Sequence, residues 1–203
     1  MDGVLADVES SWVYVHSHFG VNNDSSLFAY LRGEIDDLEF IRRDIGLWKA
    51  KDPSVTSNMI RDVLKGVPIM PGAKEAVEGL RERGVKTAIV SAGIDLLSER
   101  IADDLRIDRQ VANGLVADRR GRLSGEGKLR VRLMDKGDAV LEVMDAFGVS
   151  KEETVAVGNS QYDVSMFTKV GKGIAFMPAD ETVREGADDV VDEKDLAQIL
   201  RVI

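Results

Sequence analysis

Cysteine is absent from all 203 residues. No disulfide framework or thiolate zinc site is therefore available, and the composition fits a reducing cytoplasm. Aromatic residues make up 5%, and histidine occurs twice. Basic residues are outnumbered, 27 Lys and Arg against 36 Asp and Glu, for a formal net charge of -9. The acidic residues are spread along the chain, so the basic face that a phosphate backbone requires is missing and nucleic acid is not an expected partner. Apolar runs are short and strand-like, far below the ~20 residues of a membrane helix, and no charged-then-apolar export signal opens the chain. A cytoplasmic protein free of membrane contact is expected. The length suits one sizeable core of ~150 residues carrying a small insertion.

From Pro71 onward, strand-like and helix-like segments alternate, the pattern of a parallel sheet covered by helices. Pro71-Gly72 opens a helix that runs to about Gly84, where glycine supplies the left-handed stop. A strand buried on both faces is expected at 85–90, a helix at 94–105 and a short strand at 110–113. Alternation around Asp118-Arg119-Arg120-Gly121-Arg122 predicts a hairpin turning near Gly121, its arginines a solvated tip. Val140, Leu141, Met144 and Phe147 form one stripe of a helix at 136–147. Strands at 154–157, 173–176 and 189–191 alternate with helices at 163–170 and 180–185, and a last helix is expected at 194–202. The stretch 12–67 breaks this rhythm, with helical segments separated by Gly20, Gly33 and Asp52-Pro53 and no convincing strand. The expected fold is therefore α/β, a Rossmann-like parallel sheet core (1–11 and 68–203) with a small inserted helical cap (12–67). Trp12, Tyr14, Phe19, Phe28, Tyr30 and Trp48 gather in that cap as its own small core, with one or two available to line a pocket. His16 and His18 point in different directions from a helix, which favours surface or packing roles over a shared metal.

Four short segments carry the chemistry. Met1-Asp2-Gly3-Val4-Leu5 reads as the tail of an Asp-x-Asp-Gly-Val-Leu phosphate-transfer loop whose first aspartate would stand one position before Met1. Ser91-Ala92-Gly93 follows a strand, Lys136 opens a helix, and Gly158-Asn159-Ser160-Gln161-Tyr162-Asp163 follows another strand. Ligands of open α/β sheets bind beyond the carboxyl ends of the strands, where these segments fall. Phosphoryl transfer needs a nucleophile, a proton donor for the leaving oxygen and positive charge around the phosphoryl oxygens. Asp2 suits the general acid, and its backbone carbonyl a metal. Ser91 suits a phosphate oxygen, with Ala92 and Gly93 allowing close backbone approach. Lys136 suits the charge that holds phosphate and nucleophile together. Asn159 and Asp163 offer oxygen atoms to magnesium. Taken singly, each is as readily a turn residue or a surface charge. Their joint order is far more specific.

Together these segments resemble the haloacid dehalogenase superfamily, and within it the phosphoserine phosphatase branch. Pro71-Gly72, Ala112-Asn113-Gly114-Leu115, Leu123-Ser124-Gly125 and Val155-Ala156-Val157-Gly158 extend the likeness over nearly the whole chain. The resemblance implies Mg2+-dependent hydrolysis of a small phosphorylated metabolite through an aspartyl-phosphate, with a cap closing over the substrate, and a place in serine biosynthesis. By position it assigns Glu9 to a substrate amino group and Arg42 or Arg43 to a substrate carboxylate.

Three departures accompany it. The nucleophilic aspartate and its apolar strand do not precede Asp2, which points to a misplaced start or a shortened chain and to an inactive 203-residue form. Asn159 replaces the usual aspartate, removing one negative charge from the metal loop. Tyr162 replaces an asparagine before Asp163, and Arg42-Arg43-Asp44-Ile45 departs from the family's cap. A phosphatase for another small metabolite and a silent phosphate-binding protein stay open as alternatives.

Overall fold

Capping signals start the first helices where side-chain oxygens can accept the orphan backbone N–H groups. The computed structural model describes residues 1–203. Ser10 caps α1 (Ser11–Phe19), and α2 (Asp24–Leu31) follows. Asp36 accepts the Glu39 N–H at 2.7 Å to start α3 (Asp37–Lys51), and Thr56 accepts that of Met59 at 3.2 Å to start α4 (Ser57–Leu64). This block has no strand of its own. Trp12 and Phe19 both stack on Trp48, so three of its aromatic rings form one buried pile. Phe28 stands outside it, exposed on α2.

The alternation that follows is α5 (Ala73–Glu82), β1 (Ala88–Ile94), α6 (Asp95–Leu105), β2 (Arg109–Ala117), β3 (Leu123–Lys128) and α7 (Gly137–Phe147). Then come β4 (Val155–Gly158), α8 (Val164–Phe167), β5 (Lys172–Phe176), α9 (Glu181–Glu185) and β6 (Asp189–Val191). Parallel pairing needs a crossover, and α6, α8 and α9 supply it for the pairs β1/β2, β4/β5 and β5/β6. The strands make two three-stranded sheets, β1-β2-β3 and β4-β5-β6, with no hydrogen bond between them. β2 and β3 are the expected hairpin, antiparallel, with Asp118 Oδ1 accepting the Arg120 and Arg122 N–H groups in the turn.

Four elements differ from the sequence expectation. β1 starts at Ala88 because Val85 is exposed, and it runs on through Ser91-Ala92-Gly93, accommodated by a register shift between Ser91 and Ile94. The helix expected at 163–170 is a 3-10 turn at Gln161–Asp163 leading into the four residues of α8. The last helix is a 3-10 segment, Leu196–Arg201, laid against α5. β2 is also longer than expected, since it continues into the hairpin.

One apolar cluster runs through both parts of the molecule: Trp12, Ile45, Trp48 and Ile60 of the helices belong to the same cluster as Ile89, Leu97, Ile174 and Phe176 of the α/β part. The hairpin is tied to the helices as well, through Lys49 to the Ser124 carbonyl at 2.7 Å and Leu123 N–H to the Val55 carbonyl at 3.0 Å. No helix is long and apolar enough to cross a membrane.

Candidate active site

Residues 1–8 form a tight turn, with the Val4, Leu5 and Ala6 N–H groups all aimed at the Met1 carbonyl. This turn lies between the carboxyl ends of β1 and β4. Two glycines allow it. Gly3 has φ +71°, and a Cβ there would fall 2.2 Å from the Asn159 side-chain nitrogen. A Cβ on Gly93 would fall 2.8 Å from Asp2 Oδ2 and 2.7 Å from Ser11 Oγ. Asp2, Gly93 and Asn159, distant in sequence, are thus in contact through backbone that carries no side chain.

Asp2 is held from one side. Its Oδ2 accepts both the N–H and the hydroxyl of Ser11, each at 2.8 Å, and Ser11 Oγ in turn accepts the Ile94 N–H at 3.1 Å. Oδ1 is buried without a partner. Ser91 Oγ accepts the Gly93 N–H at 3.0 Å, which leaves its own hydrogen free to donate. The Ala92 carbonyl is pinned by Trp12 Nε1–H at 3.0 Å and by the Asn113 amide at 3.1 Å. Asn113 also accepts the Arg130 and Val131 N–H groups, so this buried side chain ties β2 to the segment after β3.

Lys136 and Asp163 meet at 2.6 Å, both nearly out of water. Asp163 Oδ2 accepts the N–H groups of Asn159 at 2.9 Å and Ser160 at 3.2 Å, while Oδ1 takes the lysine. Burial pushes the Asp163 carboxyl up, but the Lys136 charge, the Met1 amino group and the N–H donors outweigh it and hold the group below the ordinary value of 3.8. Burial also holds the Met1 amino group below its ordinary range, and it feels the charges of Asp2, Lys136 and Asp163. These groups therefore share one buried polar centre.

The Asp2 backbone carbonyl with the side-chain oxygens of Asn159 and Asp163 makes a donor set that suits a hard divalent cation, and the orphaned Asp2 Oδ1 is left to carry a proton. No group of three or more His, Cys, Asp or Glu converges anywhere in the molecule, so such a cation would meet less negative charge than a carboxylate cage provides.

The remaining candidates share no hydrogen bond or ion pair with this centre. Glu9 is exposed and has no ion pair or hydrogen bond. Arg42 is held by Glu126 of β3 at 2.7 Å and Arg43 by Glu39 of its own helix at 3.0 Å, both largely in solvent. Their neighbour Asp44 is buried, accepting the Asn23 amide at 3.1 Å and facing His16 Nε2 at 3.5 Å. His16 is a packing residue, its Nδ1 accepting Trp48 Nε1–H at 2.8 Å. Ser11 supports the site without having been singled out by sequence, whereas Trp12 was expected as a cap aromatic and Asn113 as part of a family-like segment, neither with the bonds seen here. Ser10-Ser11 ahead of an apolar helix announces a cap, but nothing local reveals that Ser11 reaches Asp2 and Ile94.

Residues 2–168 match the model of the haloacid dehalogenase-like hydrolase family. A phosphoserine phosphatase of Methanocaldococcus jannaschii is 31% identical over 175 residues, covering 85% of this chain and 80% of that protein. One of Wolinella succinogenes is 28% identical over 202 residues, covering 98% and 95%. Solved structures of phosphoserine phosphatase with a phospho-aspartyl intermediate analogue and with bound substrate each superpose at a TM-score of 0.84. Each is 27% identical and covers 100% of this chain and 95% of the other. Fold, motif order and sequence agree: the chain belongs to the haloacid dehalogenase-like hydrolases, as a phosphoserine phosphatase-like member.

Proposed function

We propose that this site hydrolyses a small phosphomonoester through a covalent aspartyl-phosphate, with an aspartate directly ahead of Met1 as the nucleophile. Its carboxylate attacks phosphorus as the bond to the substrate alcohol oxygen breaks, and Asp2 gives that oxygen its proton. Asp2 then takes a proton from water attacking the acyl phosphate, and inorganic phosphate leaves with the nucleophile restored. Ser91, the backbone at Ala92 and Gly93, and Lys136 hold the phosphoryl oxygens, where charge spreads in the transition state. The Asp2 backbone carbonyl, Asn159 and Asp163 would hold Mg2+, which when bound offsets the negative charge of phosphate and carboxylates. The helices of 12–67 act as a cap over the core of 1–11 and 68–203, shielding the acyl phosphate from bulk water. The cysteine-free composition supports a cytoplasmic setting.

The observation that carries this reading is Asp2 itself, anchored by Ser11 through Oδ2 close against Gly93 while Oδ1 stays buried and unpartnered. A second observation bears on the substrate. Arg42 and Arg43 hold their glutamates only through exposed ion pairs, weak enough to be exchanged for a substrate carboxylate, so phosphoserine is the favoured ester and another small phosphate ester the alternative.

The test extends the chain by an apolar strand ending in aspartate, and in parallel by the same strand ending in asparagine. Phosphate release is measured from phosphoserine and from an amino-alcohol phosphate lacking the carboxylate, with Mg2+ and with chelator. Release is expected from the aspartate form alone, dependent on Mg2+, and faster with phosphoserine. Equal release from the asparagine form would sink the covalent mechanism.

A further inference from the structure

Lys136 ends a stretch held at its start by Arg130 and Val131, which bond to Asn113, Asp95 and the Ala112 carbonyl. Residues 129–135 connect β3 to α7, and all but Val131 and Leu133 are exposed. Val131 N–H is taken by Asn113, and Lys136 N–H is accepted by Ser165 Oγ at 3.0 Å. Between these anchors the contact comes from the helical block. Asp37, the first residue of α3, accepts the Leu133 N–H at 2.8 Å and the Tyr30 hydroxyl at 3.0 Å on the same oxygen. Tyr30 is held flat against Phe40, with ring centroids 5.1 Å apart. Burial first, then Asp37, pushes the Tyr30 hydroxyl above its ordinary range, and the Met134 backbone and Tyr162 of the metal loop are close enough to influence it. Two residues of the helical block thus grip the backbone three positions before Lys136, next to the loop that carries Asp163.

We propose that Asp37, with Tyr30 behind it, is a positioning residue: a latch that fastens the helical block to residues 129–135 and so holds Lys136 in its bond to Asp163. Substrate contact is not part of its role. The catalytic consequence rests on the phosphatase reading, in which Lys136 holds phosphate, but the latch itself can be read without turnover.

Amide exchange at Leu133 is measured by NMR, and acetylation of Lys136 by mass spectrometry relative to the exposed Lys74, in the 203-residue chain and in Asp37→Ala, Asp37→Asn and Tyr30→Phe. Losing one net hydrogen bond should speed Leu133 exchange about tenfold in Asp37→Ala and raise Lys136 acetylation in step. Asparagine keeps an acceptor oxygen at the same place, so Asp37→Asn should stay within about twofold of the parent. Tyr30→Phe should move in the direction of the alanine variant. Unchanged Leu133 exchange and Lys136 acetylation in Asp37→Ala would overturn the latch. Equal acceleration at the amides of β4 to β6 would also overturn it, because the variant would then be loosening the whole fold. A wrong phosphatase reading would show in the phosphate-release assay and leave these rates as they are.

Discussion

A lysine and an aspartate 2.6 Å apart and almost dry are worth more for what their separation costs than for what their union gains. Desolvating two charges consumes most of the Coulomb energy, but removing one leaves the other buried and unpaired. Lys136→Met, similar in length and uncharged, should therefore destabilise the protein by about 3–5 kcal/mol at neutral pH. The pH dependence distinguishes this cause from lost packing. Asp163 titrates below 3.8 in the folded protein, so its contribution is present above that value and is lost as the pH falls through the folded pKa. With Lys136 replaced, burial becomes the leading influence and the carboxyl is pushed up, so that stability should instead fall as pH rises above 3.8. Urea midpoints of both proteins between pH ~3 and ~7 check the two slopes. Parallel slopes would mean that the pair is not coupled.

At the level of elements, α1 joins the helical block to the backbone of β1. Trp12 faces two ways, stacking on Trp48 of α3 at 5.6 Å while its indole N–H holds the Ala92 carbonyl. Trp48 fills the space behind it and donates to His16 on α1, so aromatic stacking and one buried hydrogen bond set the α1–α3 contact together. Trp48→Phe removes the donor, leaves His16 Nδ1 without a partner and opens a small cavity. A loss of about 2 kcal/mol is expected from a urea melt. A neutral outcome would show that the pile of rings relaxes into the space. Helix positions were largely legible in the sequence because they repeat locally, but the stripe expected on α7 was not, since Leu141 is exposed and Val143 takes its place beside Val140 and Met144 in the buried face. The Trp12–Ala92 bond was not, since it joins residues 80 apart.

Over the whole molecule, the apolar cluster disregards the boundary between the inserted helices and the α/β part. Both tryptophans belong to the helices, so fluorescence reports that block, whereas far-UV circular dichroism reports all of the secondary structure. A shared core predicts coincident urea transitions by the two probes. Separated midpoints would mean that the helices unfold on their own and that the boundary is a real seam in stability.

The sequence by itself determined the class of the fold and the order of the four motif segments, because each is written in local periodicity and short motifs. Asp2, Ser91, Lys136 and Asp163 were named as candidates for the same reason. Tertiary structure alone decided that Asp2 is held through one oxygen by Ser11, that Arg42 and Arg43 pair with glutamates, that Asp44 is buried with His16, and that Asp37 reaches Leu133. Those are contacts between side chains and backbone far apart along the chain. Which donor meets which acceptor depends on how the helices and the two sheets pack, and residue spacing does not encode that geometry.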